Sequence, residues 1–241
     1  MGAKMSWETL RKLLRSPFST LARGLHKTLI APRVYRKGEG YDARRYWSDR
    51  FSKHGMSLRG AGDEGLSDAE NRRVYEQGAG VFLEQLKSRG VDLASVSVLE
   101  VGVGTGYWLD LLWRSGARRY TGVDITDVLF GELRERFAGA NLRRQDVTET
   151  PIDGQFELAI MMDVVEHIVE PRRLDAAMAN LSAAVAPGGL AMISGLQDHC
   201  ARHRFYTHAW TDRDIVSRMP GWTAEALAPF RDNRLLVLRK S

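Results

Sequence analysis

From residue 96 onward the chain alternates two kinds of apolar pattern. Short, apolar, strand-like runs at 96–101, 119–124, 156–162 and 189–194 predict the strands of a buried sheet. Between them apolar positions recur every three to four residues near 105–115, 127–138 and 171–186, which predicts helices, and a weaker run at 141–146 adds a strand. Strand and helix in alternation predict a doubly wound α/β fold, a parallel sheet covered by helices on both faces. At the end of the chain, 222–229 and 234–239 read as strands joined by a turn at Arg231-Asp232-Asn233. A tight hairpin is antiparallel, so the expected sheet has seven strands, mostly parallel, with an antiparallel C-terminal hairpin strand.

Upstream the pattern changes. Ser67 followed by Glu70 forms a capping box that opens a helix running to Arg89 and stopping at Gly90; Thr211 and Asp214 repeat the device later. Residues 33–70 read as a loop-rich lid, because Gly38, Gly40, Gly55, Gly60, Gly62 and Gly65 are scattered through them. An aromatic run, Tyr41, Tyr46, Trp47 and Phe51, interrupts those glycines and is placed to close over a ligand. Before it, Trp7, Leu10, Leu13 and Leu14 line one face of a helix from Ser6 to Pro17, and Leu21, Leu25 and Leu29 line a second from about 19 to 30. The expected organisation is a helical arm over 1–32, a lid over 33–70 and one domain over 71–241.

Charge sharpens the reading of the arm. The formal net charge is +5, yet residues 1–45 carry eleven Lys/Arg against Glu8, Glu39 and Asp42, a local balance of +8 that leaves −3 for the rest. Two basic amphipathic segments in series suit an anionic membrane surface or a membrane-bound substrate, so peripheral membrane contact through residues 5–30 is one expectation. Packing on the domain or on a partner subunit, and an organelle-targeting presequence, are the others. Because the excess sits in the arm, the high isoelectric point does not argue for nucleic acid. With one cysteine, Cys200, the chain has no internal disulfide and no multi-cysteine zinc site. No apolar run approaches the ~18 residues of a membrane span and no signal peptide is evident, so a cytoplasmic protein, with or without a peripheral membrane contact, is expected.

The chemistry concentrates in Val98-Leu-Glu100-Val-Gly102-Val-Gly104-Thr-Gly106, between a strand and a helix. Glycines there let the backbone turn tightly and bring a ligand to the amides of a helix N-terminus. The dinucleotide pattern G-x-G-x-x-G would need glycine at 107, and Tyr107 stands there. Glu100 would repel a pyrophosphate and attract an ammonium group. The string resembles the first motif of the class I S-adenosylmethionine-dependent methyltransferases: an acidic residue, any residue, then G-x-G-x-G. The resemblance spans roughly 95–195 and implies a Rossmann-like sheet and S-adenosyl-L-methionine as cofactor, with S-adenosyl-L-homocysteine as product. It implies that Glu100 meets the methionine end, with Gly102, Gly104 and Gly106 forming the loop. Asp124 would take the ribose hydroxyls, Ile125 would pack on the adenine, and Asp146 would lie near its amino group, with Val147 alongside.

Asp163-Val-Val-Glu166-His167, after the fourth strand, resembles a motif of small-molecule methyltransferases, including the quinone-biosynthesis type, and puts Asp163 beside the cofactor. Ala186-Pro-Gly-Gly189 resembles the turn before their fifth strand, departing from it at Ala186. The Asn/Asp-Pro-Pro-Tyr run of base-modifying enzymes is missing, since Val-Val follows Asp163, so a nucleic-acid base is not the expected acceptor. His167 and His199 are the candidate general bases, with a hydrogen-bonded structural histidine supporting the loop as the other reading of His167, and His199 leads a cluster with Asp198, Cys200, His203, Tyr206 and His208 that reads as a polar acceptor-binding loop. The spacing of that cluster matches no tight zinc motif, and no metal is assigned. Tyr46 and Trp47 would shield the sulfonium as part of the lid, the other reading being ordinary packing of an N-terminal helix. The expected activity is methyl transfer to a small-molecule or lipid-linked metabolite, O-methylation first. A nicotinamide-dependent oxidoreductase and a non-catalytic, membrane-associated cofactor-binding protein stay open, and the oligomeric state is not given.

Overall fold

The computed structural model describes residues 26–38, 40–199 and 201–241. A helical turn over His26–Ile30 continues as α1 (Ala31–Val34); the rest of the expected arm lies outside the described residues. A small ribbon, β1 (Arg36–Lys37) and β2 (Gly40–Tyr41), leads to α2 (Ala43–His54) and α3 (Leu58–Ala61). The stretch expected to be loop-rich is therefore largely helical. Its glycines punctuate: Gly55 and Gly62 close α2 and α3, while Asp42 and Ser57 accept backbone N–H bonds at their starts. The count of glycines had outweighed their positions.

The capping box at Ser67 and Glu70 opens α4 (Asp68–Ser88), and Gly90 follows its end at φ 63°. Then comes the alternation: β3 (Ser97–Val101), α5 (Tyr107–Arg114), β4 (Arg119–Asp124), α6 (Phe130–Arg136), β5 (Asn141–Arg144), β6 (Phe156–Met161) and α7 (Pro171–Ala184). β7 (Val185–Leu196) starts earlier than expected, since the Pro-Gly-Gly segment is already part of the strand. After it, β8 (Ala201–Arg204) and β9 (Thr207–Ala209) pair as a hairpin where a polar loop was expected. The capping box at Thr211 and Asp214 opens α8 (Asp212–Val216), and β10 (Trp222–Phe230) and β11 (Asn233–Lys240) finish the chain.

The seven-stranded sheet has the order β10-β11-β7-β6-β3-β4-β5. β3 to β7 are parallel; β11 is antiparallel to both β7 and β10, so it alone runs against the sheet. Side chains alternate across it. Val98, Leu158 and Met192 pack on one face with Phe82 of α4, Leu109 of α5 and Leu133 of α6. Leu99, Ala159 and Ile193 pack on the other with Leu174, Met178 and Leu181 of α7. The chain runs outward from β3 through β4 to β5 and then returns to lay β6 on the other side of β3. That reversal leaves a crevice beyond the C-terminal ends of β3, β4 and β6, the place where such sheets bind ligands.

Candidate active site

A cleft of about 1060 Å³ occupies this crevice. Its floor is the loop from β3 into α5. Gly102 and Gly106 stand at φ 85° and 72°, where L side chains are strained, and a Cβ at either would collide with Val164 or Leu133 respectively. Between them Gly104 faces the cleft, and a Cβ there would project toward Ala61 and Phe51 at 3.6 Å. Asp124, the last residue of β4, lines the same space and is held in place. Its Oδ2 accepts the Gly104 N–H at 2.9 Å and its Oδ1 the Thr126 N–H at 3.0 Å. Burial pushes the Asp124 carboxyl up to about 6, against the pull of those amides.

Glu100 lies under this floor, paired with Gly122 on one side and Ile160 on the other. It is 1% exposed. Oε2 accepts the Tyr120 hydroxyl at 2.6 Å, while Oε1 is buried with no hydrogen-bond partner. Burial raises its carboxyl to about 8, with the Tyr120 hydrogen bond opposing. An unpartnered carboxylate oxygen in so dry a place is a standing demand for a donor.

On the β5 side, Gln145, Asp146, Val147 and Thr148 form a wall of the cleft. Asp146 Oδ1 accepts both the Thr148 N–H at 2.9 Å and its hydroxyl at 2.6 Å, and Oδ2 accepts Arg173 Nη2 at 2.7 Å. Arg173 comes from the first turn of α7 and also approaches Glu149 at 3.5 Å. The carboxylate is thus both a turn residue and a cleft residue, with lone-pair capacity left on Oδ2.

Beyond β6, Asp163 stands at φ 57° and lines the cleft. Its carboxyl is engaged from three sides: Ser194 Oγ donates to Oδ1 at 2.9 Å, Asn233 Nδ2 at 3.4 Å, and Arg231 Nη2 donates to Oδ2. Glu166 is half-buried beside this group, and desolvation, then the neighbouring charges of Asp163 and Asp232, lifts its carboxyl to about 8. His167 faces the cleft. Its Nδ1 lies 3.0 Å from the Tyr206 carbonyl, which can only accept, so Nδ1 bears a proton, and in the neutral form of the ring the lone pair is at Nε2. Glu166 Oε1 is 3.4 Å from that nitrogen.

The N-terminal elements roof the cleft. Tyr41, Ala43, Trp47, Phe51 and Ala61 line it, and the Trp47 ring meets His167 edge to face at 4.8 Å. Ser48 Oγ bonds Thr126 Oγ1 at 3.0 Å, tying α2 to the loop after β4.

Of the residues singled out from the sequence, the cleft gathers Gly102, Gly104, Asp124, Ile125, Asp146, Val147, Asp163, Trp47 and His167. Glu100 lies beneath it, and Gly106 packs on Leu133 just behind. Tyr46 is buried one layer back, stacked on Tyr206 at 4.9 Å, with its hydroxyl accepting from Arg50. His199 is exposed and does not line the cleft. Sequence reasoning missed Tyr75, Thr105, Met162, Thr148 and Arg173. Nothing in spacing distinguishes Arg173 from other basic residues of a helix start; only the fold brings α7 against β5. Among the described residues no cluster of His, Cys, Asp and Glu has the arrangement of a metal site.

Residues 98–189 match the family model of the methyltransferase domain. A probable S-adenosylmethionine-dependent methyltransferase of Mycolicibacterium smegmatis is 28% identical over 102 residues, 42% of this chain and 38% of that protein. A ubiquinone biosynthesis O-methyltransferase of Coxiella burnetii is 31% identical over 104 residues, 41% of this chain and 43% of its own. The chain thus spans about four-tenths of the length of these curated relatives. Among solved structures, magnesium protoporphyrin IX methyltransferase from Synechocystis with bound S-adenosylhomocysteine superposes with a TM-score of 0.66 at 17% identity, over 82% of this chain and 98% of that one. An N-methyltransferase from Bradyrhizobium japonicum, also a complex with S-adenosylhomocysteine, gives 0.58 at 18% identity over 79% and 98%. These likenesses establish a common fold.

Proposed function

We propose that this chain, whose residues 98–189 match the methyltransferase-domain family model, is a class I S-adenosylmethionine-dependent methyltransferase that methylates a hydroxyl of a small-molecule or lipid-linked metabolite. The observation that carries the reading is the convergence of Asp124, Asp146 and the Gly102–Gly106 loop on one cleft, above a Glu100 whose Oε1 has no partner. That set fits S-adenosylmethionine. Asp124 would accept the ribose hydroxyls and Asp146 an adenine N–H, between Ile125 and Val147, while Glu100 would take the ammonium group. A run of carboxylates along the cleft disfavours a ligand bearing a pyrophosphate.

When bound, the cofactor supplies an electrophilic methyl group on a sulfonium. The chain's part is to align, dry and deprotonate. Trp47 and Phe51 exclude water and present aromatic faces to a cation. Alignment alone contributes up to roughly 7–11 kcal/mol in ideal intramolecular reactions. His167 Nε2 accepts the acceptor's hydroxyl proton, its tautomer fixed by the Tyr206 carbonyl. The hydroxyl acceptor is supported by the kinship to ubiquinone biosynthesis O-methyltransferases and by this base at the cleft edge. Calorimetry with S-adenosylhomocysteine and with NADH tests the cofactor: the first binds, the second does not, and Asp124→Ala abolishes binding. NADH binding in place of S-adenosylhomocysteine would overturn the reading.

A further inference from the structure

Five large apolar side chains are exposed among the described residues, and three of them crowd into six positions: Leu29, Ile30 and Val34, at 46%, 50% and 42%. Arg33, Arg36 and Lys37, all exposed, stand among and just after them, and no acidic residue occurs anywhere in 26–38. The segment is not loosely attached. Ala31 is buried, the Tyr35 carbonyl accepts the Asp42 N–H at 2.7 Å, and the Tyr35 hydroxyl donates to Asp49 at 2.9 Å. The Tyr35 ring packs edge-on to Tyr46 at 5.2 Å and stacks on Phe205 at 6.3 Å. Tyr35 anchors the end of the helix on this aromatic floor, while Leu29, Ile30 and Val34 are left exposed.

We propose that this outward face, Leu29, Ile30 and Val34 with Arg33, Arg36 and Lys37, docks on an anionic lipid surface. Apolar side chains entering the headgroup boundary with basic groups beside them is the signature of interfacial helices. Charge decides between occupants. A second copy would meet this face with the same basic face, because a two-fold contact is self-complementary. Residues 1–25 would bring five Lys/Arg against one acid, Glu8, to a surface already positive. Anionic headgroups neutralise both. The floor beneath the face includes Tyr41 and borders Trp47, two residues of the cleft wall, so docking brings the cleft to the bilayer from which a lipid-linked acceptor would come. That last step rests on the methyltransferase reading; the docking does not.

Flotation of the full chain with vesicles of phosphatidylcholine, alone or mixed with phosphatidylglycerol, tests it. The wild type floats with the anionic vesicles only and is released by salt. Leu29→Glu, Ile30→Glu and Val34→Glu together lower the bound fraction by about tenfold or more, Ser at the same three positions lowers it less, and Arg33→Ser, Arg36→Ser and Lys37→Ser remove the preference for anionic lipid. All variants keep wild-type affinity for S-adenosylhomocysteine, which reports the fold. A wild type that binds neither vesicle overturns the proposal, as does a Glu variant that floats as well as wild type or a dimer that the Glu variant abolishes. Loss of S-adenosylhomocysteine binding by the wild type would sink the methyltransferase reading alone, since flotation does not depend on it.

Discussion

Glu100 and Tyr120 are a fully buried acid and phenol sharing one hydrogen bond in the middle of the sheet. In the folded chain the Glu100 carboxyl is raised from 4.5 to about 8, chiefly by burial, with Asp124 adding to the rise. Its contribution to stability is therefore whole below pH 4.5 and is lost as pH climbs through 8, because the unfolded chain releases this proton first. Glu100→Gln keeps the acceptor for Tyr120 and removes the ionisation. We expect the variant to match wild type in thermal unfolding near pH 4.5 and to exceed it increasingly toward pH 8, while its affinity for S-adenosylhomocysteine falls. A variant that tracks wild type at every pH would mean that Glu100 is already ionised and paired in the fold. A buried acid whose ionisation costs stability and which sits under a cleft is a candidate functional residue.

At the scale of elements, legibility followed local chemistry. The capping boxes at Ser67 and Thr211 were readable because their hydrogen bonds close within three residues. β3, β6 and β7 were readable because burial on both faces leaves nearly unbroken apolar runs. The hairpin of β8 and β9 was not: its polar, histidine-bearing sequence reads as a loop, and pairing depends on partners the pattern does not name. α2 was missed behind its flanking glycines, and His199 was ranked by its nearness to the end of β7 although the chain turns it outward. Arg173 belongs to the same class, since its meaning comes from where α7 lands. It holds Asp146 Oδ2 while Thr148 holds Oδ1, which fixes the carboxylate for one further donor. Given the proposed adenine contact, Arg173→Met should weaken S-adenosylhomocysteine binding by about tenfold, a charged hydrogen bond being worth ~1.5–3 kcal/mol. It should also narrow the preference over S-inosyl-L-homocysteine, whose exocyclic C6 oxygen, standing in place of the adenine amino group, has no proton to offer Asp146. Calorimetry with both ligands measures this, and an unchanged ratio would reduce Arg173 to a surface ion pair.

Across the whole molecule, the C-terminal hairpin does more than complete the sheet. The turn between β10 and β11 carries Arg231, itself at φ 55°, back over the ends of β6 and β7 to Asp163, so the two non-glycine residues with positive φ among the described residues are joined by an ion pair. Strain at both ends persists only where surroundings enforce it. Here they do: Ser194 and Asn233 hold Asp163, and the Arg231 guanidinium lies over the rings of Tyr75 and Phe230 at 5.2 and 4.7 Å. Tyr75 in turn lines the cleft. The last strands thus brace the side of the site that faces away from Asp124 and Asp146. Removing one partner of this part-buried pair strands the other, at a cost below the ~3–5 kcal/mol of a fully buried one. We expect Arg231→Met to lose about 2 kcal/mol in denaturant unfolding, and Arg231→Met with Asp163→Asn to regain part of it. Under the proposed function, methyl transfer in the single variant should fall more than affinity for S-adenosylhomocysteine, because the acids that hold the nucleoside stand on β4 and after β5, out of reach of this turn. Equal losses in the two would place the hairpin's influence on the cofactor and not on the acceptor.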